Sequence, residues 1–371
     1  PLSLLNPEAV LADEWVVTSL ADDGSHGTLR YAIDNSDEGD TISFAPGLNG
    51  AIYLAPEGNE LVIDHALTIE GPGAGVIRIV GDGDSRVLLI AVGDIIPIGV
   101  IEGFLESVDP PTAIESALEL LQGEPSQSLL DIEAAVVISG LTLCDGDASL
   151  QPEFFVDLFD AVGGNVLVLG SSAVIRDCVI ETGSAIGGGG IAAAASLLSL
   201  EGCTVRENTA GGLDLDIPLS GGGGGLLTAL AYVAADDCVF EGNAVLANEG
   251  GMTIGGGLGS LVSLWDFAGC DIRDNVAHDG PNTPGLGGGV ASILSLGNFV
   301  GCDIRDNVAG DGPSGGVGGG MLTAYDLLLN IQECTIAGNA AGPAGDGVGG
   351  GILAAPSLLM AVVRDSLIAD N

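Results

Sequence analysis

Cys270-Asp-Ile-Arg-Asp-Asn275 returns letter for letter 32 residues later as Cys302-Asp-Ile-Arg-Asp-Asn307. The same unit recurs with small changes at Cys203-Thr-Val-Arg-Glu-Asn208, Cys238-Val-Phe-Glu-Gly-Asn243 and Cys334-Thr-Ile-Ala-Gly-Asn339. It recurs once more, with serine for cysteine, at Ser366-Leu-Ile-Ala-Asp-Asn371. A glycine run precedes each unit, as at Gly187 to Gly190, Gly255 to Gly257 and Gly287 to Gly289. A near-constant period with turn punctuation marks a repeat architecture. Side chains alternate along a strand, so each Cys and the apolar residue two places on share a face. Further apolar residues stand five and three places before the Cys, as in Leu198 and Leu200 or Trp265 and Phe267. A short corner, Glu201-Gly202 or Asp236-Asp237, then separates two strands. The reading is an all-β, right-handed parallel β-helix.

Coils stacked about 4.8 Å apart would turn equivalent positions into ladders. One is a thiol ladder of Cys203, Cys238, Cys270, Cys302 and Cys334. Another is an amide ladder of Asn208, Asn243, Asn275, Asn307, Asn339 and Asn371. The seven cysteines match no zinc spacing, and in-register thiols point in parallel, so buried free thiols are expected. Six places before each Cys, or before Ser366, stand Leu197, Tyr232, Leu264, Leu296, Leu328 and Met360. This apolar row is either tucked in at a corner or an outer wall that another molecule covers.

Residues 1–40 read as an opening strand and a capping helix over Thr28 to Asp34. Residues 41–371 read as the β-helix, interrupted by insertions at about 93–133 and 149–161. A coil buries its apolar face only against its neighbours, so the ends are the weak points. No capping helix follows the last unit at Asn371, which favours end-to-end assembly.

The chain has 8 Lys plus Arg, all arginine, against 51 Asp plus Glu, a formal charge of −43. That excludes nucleic acid and anionic membrane as partners, since both need basic residues against phosphate. No run is long and apolar enough to span a bilayer. The acidity reads either as a solvated surface or as calcium binding. Calcium is the candidate cofactor, with Asp214, Asp216, Glu249, Asp279, Asp311 and Asp346 as ligands from loops stacked on one edge. No Asp-x-Asp-x-Asp-Gly loop supports it.

Val16-Val-Thr-Ser-Leu-Ala-Asp-Asp-Gly-Ser-His-Gly-Thr-Leu-Arg-Tyr-Ala-Ile33, Leu67-Thr-Ile-Glu-Gly-Pro-Gly73 and Ser139-Gly-Leu-Thr-Leu143 resemble bacterial right-handed parallel β-helix repeat surface proteins. The Gly-rich units with Cys and Asn are similar to repeats of polymorphic outer-membrane proteins and pectate-lyase-like adhesins. The resemblance implies export to the cell surface or medium, with any leader removed.

The same fold hosts lyases and glycosidases, so catalysis must be sought at residues. A lyase needs cations at a uronate carboxylate, and the chain has no lysine. Arg206, Arg273 and Arg305 recur in register, each followed by an acid, and read as an exterior charge ladder. A glycosidase needs two carboxylates flanking the bond. Asp236-Asp237 is the adjacent pair, but it stands at a corner. No residue is therefore assigned a catalytic role. The expected function is an exported, non-catalytic structural or adhesive solenoid that associates with copies of itself, end to end into an extracellular filament. The alternative is a carbohydrate-binding or polysaccharide-cleaving β-helix, with cell-surface glycans as partners. A third reading is a passenger fragment of a longer surface protein.

Overall fold

The computed structural model describes residues 12–55, 60–92, 134–148, 161–211, 219–247, 251–343, 346–355 and 360–371. The insertions expected at about 93–133 and 149–161 lie almost wholly outside these residues.

Every strand-to-strand pairing is parallel, and successive coils are neighbours in each sheet. The fold is a right-handed parallel β-helix. Three long sheets form its walls. Sheet A has 11 described strands, among them Ser172–Arg176, Leu197–Glu201, Tyr232–Asp236, Leu264–Ala268, Leu296–Val300 and Leu328–Gln332. Sheet B, with 10, holds the three-residue strands after each Cys, such as Thr204–Arg206 and Asp271–Arg273. Sheet C, with 9, holds the strands after the glycine runs, such as Leu258–Leu261. Two shorter sheets of 7 and 4 strands complete the turn from B back to C. The helix α1 (Leu29–Asn35) is capped by Thr28, whose side chain accepts from the Tyr31 N–H, and it buries Leu29, Ala32 and Ile33.

Alternation sets the core. In Leu264–Ala268 the even steps Trp265 and Phe267 are buried, whereas Leu264, Asp266 and Ala268 face outward. Phe240, Phe267 and Phe299 come from three coils, and their rings lie 6.0 and 5.4 Å apart along the stack. Such aromatic pairs add to simple area burial.

The amide ladder is the tightest feature. Asn243 donates through Nδ2 to Asn275 Oδ1 at 3.0 Å, and its backbone N–H donates to the same oxygen at 3.0 Å. Asn275 does the same to Asn307, and Asn307 to Asn339. Each Nδ2 also reaches a carbonyl across the coil, as Asn275 does to Phe240 at 2.9 Å. Asn243, Asn275 and Asn307 are fully buried. A buried amide of this kind is favourable because its donors and acceptor are used.

The glycine runs exist to make room for these amides. At Gly257 a Cβ would lie 2.9 Å from the Asn275 amide. Gly255 is needed for another reason: its φ is +67°, and a Cβ there would lie 2.1 Å from the Leu258 carbonyl oxygen. One coil proves the rule by reversing it. Val166 is in register with Ile191, so Asn165 occupies the place of the glycine Gly190. The ladder position of that coil is Gly183, where a Cβ would lie 2.5 Å from Asn165 Nδ2. Asn165 donates to Asn208 Oδ1 at 3.2 Å and so extends the amide ladder from the opposite wall. The sequence reading missed this seventh member.

The thiols divide. Cys178 precedes Cys203, Cys238, Cys270, Cys302 and Cys334 in one buried ladder, and Cys203 and Cys302 each donate their N–H to the next sulfur at 3.4 Å. Cys144 stands outside it, in register with Glu181 and accepting from Arg78 at 3.2 Å. All seven are free. Burial pushes both Cys144 and Cys178 up to about 11.

A hydroxyl ladder closes the corner from sheet C to sheet A. Ser263 and Ser295 accept the N–H groups of Ala231 and Ser263, and Asp326 accepts that of Ser295 at 2.8 Å and the Ser292 hydroxyl. Asp326 is 2% exposed, and burial pushes its carboxyl up to about 6.

Two predictions follow from the ladders. Gly183→Asn alone should destabilise the fold by about 1–3 kcal/mol through overpacking. Adding Asn165→Gly should recover most of the loss, because the regular Asn–Gly pair is then restored; a double-mutant cycle by urea denaturation reads the coupling. For Asp326 the folded pKa is raised, so its contribution is full below the unfolded value and is lost as pH rises through about 6. Asp326→Asn should therefore melt above the parent at about pH 8, by up to about 3 kcal/mol, and the gap should close near about pH 4.

Candidate active site

The outer face of sheet A carries three rows of side chains. The first row is Ser172, Leu197, Tyr232, Leu264, Leu296, Leu328 and Met360. The structure thus brings together all six residues of the expected apolar row. They point outward yet are half-buried against one another, and Leu328 is buried. The second row is Val174, Ser199, Ala234, Asp266, Asn298, Asn330 and Val362. The third is Arg176, Glu201, Asp236, Ala268, Val300, Gln332 and Arg364.

A shallow groove of about 110 Å³ lies across the first two rows. Ser172, Leu197, Ser199, Glu201 and Tyr232 line it, with Ala134, where the chain returns from the first insertion. Arg176, Glu201 and Asp236 occupy one row on three successive coils. Glu201 and Asp236 are in register, which sets their backbones about 4.8 Å apart. The Arg176 guanidinium stands 3.8 Å from the Glu201 carboxylate. Loss of solvent pushes the Asp236 carboxyl up, and the nearby Asp237 and Glu201 carboxylates push it further the same way. Burial pushes the Tyr232 phenol up to about 12, with the Asp266 charge adding to it. The groove therefore holds one ion-paired carboxylate and a neutral phenol, and the exposed Asp236 carboxyl, which keeps its proton to higher pH, stands beside it.

The adjacent acid Asp237 does not share the outward row of Asp236. Asp237 takes a left-handed corner, φ +50°, and leaves the strand. The strand runs through Asp236, not up to it, and pairs it with the residue one coil earlier. The signal was present: Glu201 and Asp236 each stand two places before a Cys.

The other candidate residues lie elsewhere. Asp214, Asp216 and Glu249 fall outside the described residues. Asp279 caps the next loop, accepting from the N–H groups of Gly312 and Ser314. Asp311 meets His278 Nδ1 at 2.8 Å, and Asp346 is exposed. Among the described residues, no group of three or more His, Cys, Asp or Glu side chains could hold a metal ion. The repeated arginines lie on the outer face of sheet B and reach back to the preceding coils. Arg206 meets Glu181 at 2.6 Å, Arg273 meets Glu241, and Arg305 meets Asp271 at 2.8 Å. Arg78 meets Glu181 from the other side at 2.9 Å. That wall is a paired charge ladder.

No family model matches the chain, and no curated protein matches it. Among solved structures it is similar to pectate lyase Pel9A, at 8% identity and a TM-score of 0.48, over 96% of this chain and 80% of that one. It is also similar to the A-module of the Azotobacter vinelandii mannuronan C-5 epimerase AlgE6, at 14% identity and a TM-score of 0.31, over 92% and 95% of the two chains. The likeness is one of fold. It narrows the expected surface-repeat family to the parallel β-helix itself. It also corrects the expectation that the chain is not an enzyme: both similar structures are enzymes named for a polysaccharide substrate. The structural or adhesive role gains no support from it. No helix among the described residues is long and apolar enough to cross a membrane.

Proposed function

We propose that the chain is a polysaccharide-cleaving β-helix whose active site is the sheet A groove. The observation that carries this is the in-register pair Glu201 and Asp236, one coil apart, beside a groove holding Tyr232, Ser172 and Ser199. Glycoside hydrolysis uses two carboxyl groups in opposite roles, and a separation of about 5–5.5 Å goes with a covalent intermediate. Glu201, ion-paired with Arg176, is the nucleophile at the anomeric carbon. Asp236, whose proton is held to higher pH, gives that proton to the departing glycosidic oxygen. Water then displaces Glu201 from the anomeric carbon and passes its proton to Asp236, which restores both groups. A carboxyl that holds its proton to higher pH beside an ion-paired carboxylate fits such a division of roles. The polymer substrate implies that the protein works outside the cell.

Glu201→Gln and Asp236→Asn should each lower the rate of polysaccharide cleavage by about 10²–10⁴-fold, read as reducing ends released. The parent should show a bell-shaped pH profile. Deprotonation of Asp236 sets its alkaline limb. Because the Asp236 pKa is raised, the plateau extends to higher pH than an ordinary aspartic acid would allow. In Asp236→Asn the alkaline limb should vanish. Unchanged cleavage in both variants, or no cleavage of any polysaccharide by the parent, would exclude this assignment.

A further inference from the structure

The outer face of sheet A continues past the groove for four more described coils, and its chemistry is that of a binding track. Asn298 donates through Nδ2 to Asp266 Oδ1 at 2.8 Å, and Asn330 donates to Asn298 Oδ1 at 2.7 Å. A primary amide has two N–H donors and an oxygen with two lone pairs. After these bonds Asn298 keeps one donor and one acceptor site, and Asp266 keeps most of its acceptor capacity. The track is thus preorganised and still able to bond. Along one side of it run Leu264 and Leu296, in register with Tyr232. At the corner beyond them Leu230, Leu294 and Tyr325 are 41, 47 and 52% exposed. An apolar edge beside a row of amide and carboxylate groups matches a sugar, which offers C–H faces and hydroxyl edges.

Charge decides which sugar. From Leu197–Glu201 to Leu328–Gln332, the outward positions of sheet A hold the carboxylates Glu201, Asp236 and Asp266 and no cation. Half of the arginines of the chain, Arg78, Arg206, Arg273 and Arg305, lie instead on sheet B, each ion-paired. A polyanion laid along sheet A would meet like charge at three coils, within a molecule of formal charge −43. We propose that the substrate is an uncharged polysaccharide, lying parallel to the helix axis, with Asp266 and Asn298 as hydrogen-bonding subsites next to the groove. This rests on the assignment of Glu201 and Asp236 as the cleaving pair and adds the substrate class.

The test is affinity electrophoresis of the full chain, carrying Glu201→Gln so that the polymer survives. The probes are arabinoxylan, galactomannan and dextran against polygalacturonate and polymannuronate. At least one neutral polymer should retard the protein, and neither polyuronate should. Asn298→Ala and Asp266→Ala should each weaken that binding about tenfold, the loss expected for one hydrogen-bonding partner. Asn298→Arg, which places a cation in the track, should admit polygalacturonate, and this gain cannot come from misfolding. Binding of polyuronates alone, binding of neither class, or neutral binding indifferent to Asn298→Ala would each overturn the inference. Neutral binding that is sensitive to Asn298→Ala, without cleavage by the parent, would uphold the track and remove the cleaving role of Glu201 and Asp236.

Discussion

The buried asparagine stack holds this molecule to one register. Each amide donates to the amide of the next coil and to a carbonyl of the preceding one, and its oxygen accepts the backbone N–H of the preceding coil's asparagine. A slip of one residue would strand all of these groups away from water, at about 1–3 kcal/mol for each unsatisfied group. It would also turn every strand inside out, because side chains alternate. The glycine opposite each amide is the other half of the constraint. Asn165 and Gly183 show that the requirement is for one amide and one hole at each level, from whichever wall supplies them.

A fixed register is what gives the outer walls their chemistry. On sheet B it sets each arginine against carboxylates of neighbouring coils, so the cations neutralise the wall. On sheet A it sets Arg176, Glu201 and Asp236 in one row, with no cation between Asp236 and Arg364. The first arrangement is a closed set of ion pairs. The second leaves an exposed carboxyl whose acidity is displaced beside a groove, and displaced acidity is one marker of a functional site.

The coil was legible in the sequence because its period is written in residues of narrow tolerance: Cys, Asn and the glycine runs. The amide ladder was legible for the same reason, except at Asn165, where the glycine and the asparagine exchange walls and the motif is lost. The strand boundary after Asp236 was not legible. A left-handed Asp237 ends the strand where other coils use Gly202 or Gly269, so the acidic dipeptide read as one corner. The pairing of Glu201 with Asp236 is a relation between residues 35 apart, three more than the usual 32, and only the register reveals it. The apolar row was found, but sequence could not say that its members shelter one another. The acidic loop edge was read from charge and register, and two of its described members are engaged within the protein, Asp279 with a loop backbone and Asp311 with His278.

The central claim is that one coil of separation brings two carboxyl groups to either side of a glycosidic bond. The stereochemistry of the first product tests it most directly. Proton NMR of a polysaccharide digest, followed before mutarotation, reads the configuration at the new anomeric centre. Carboxyl groups that keep the one-coil spacing of their backbones predict retention of configuration, by way of a glycosyl-Glu201 intermediate. Inversion would contradict the account, because it requires carboxyl groups about 6.5–9.5 Å apart with water between them.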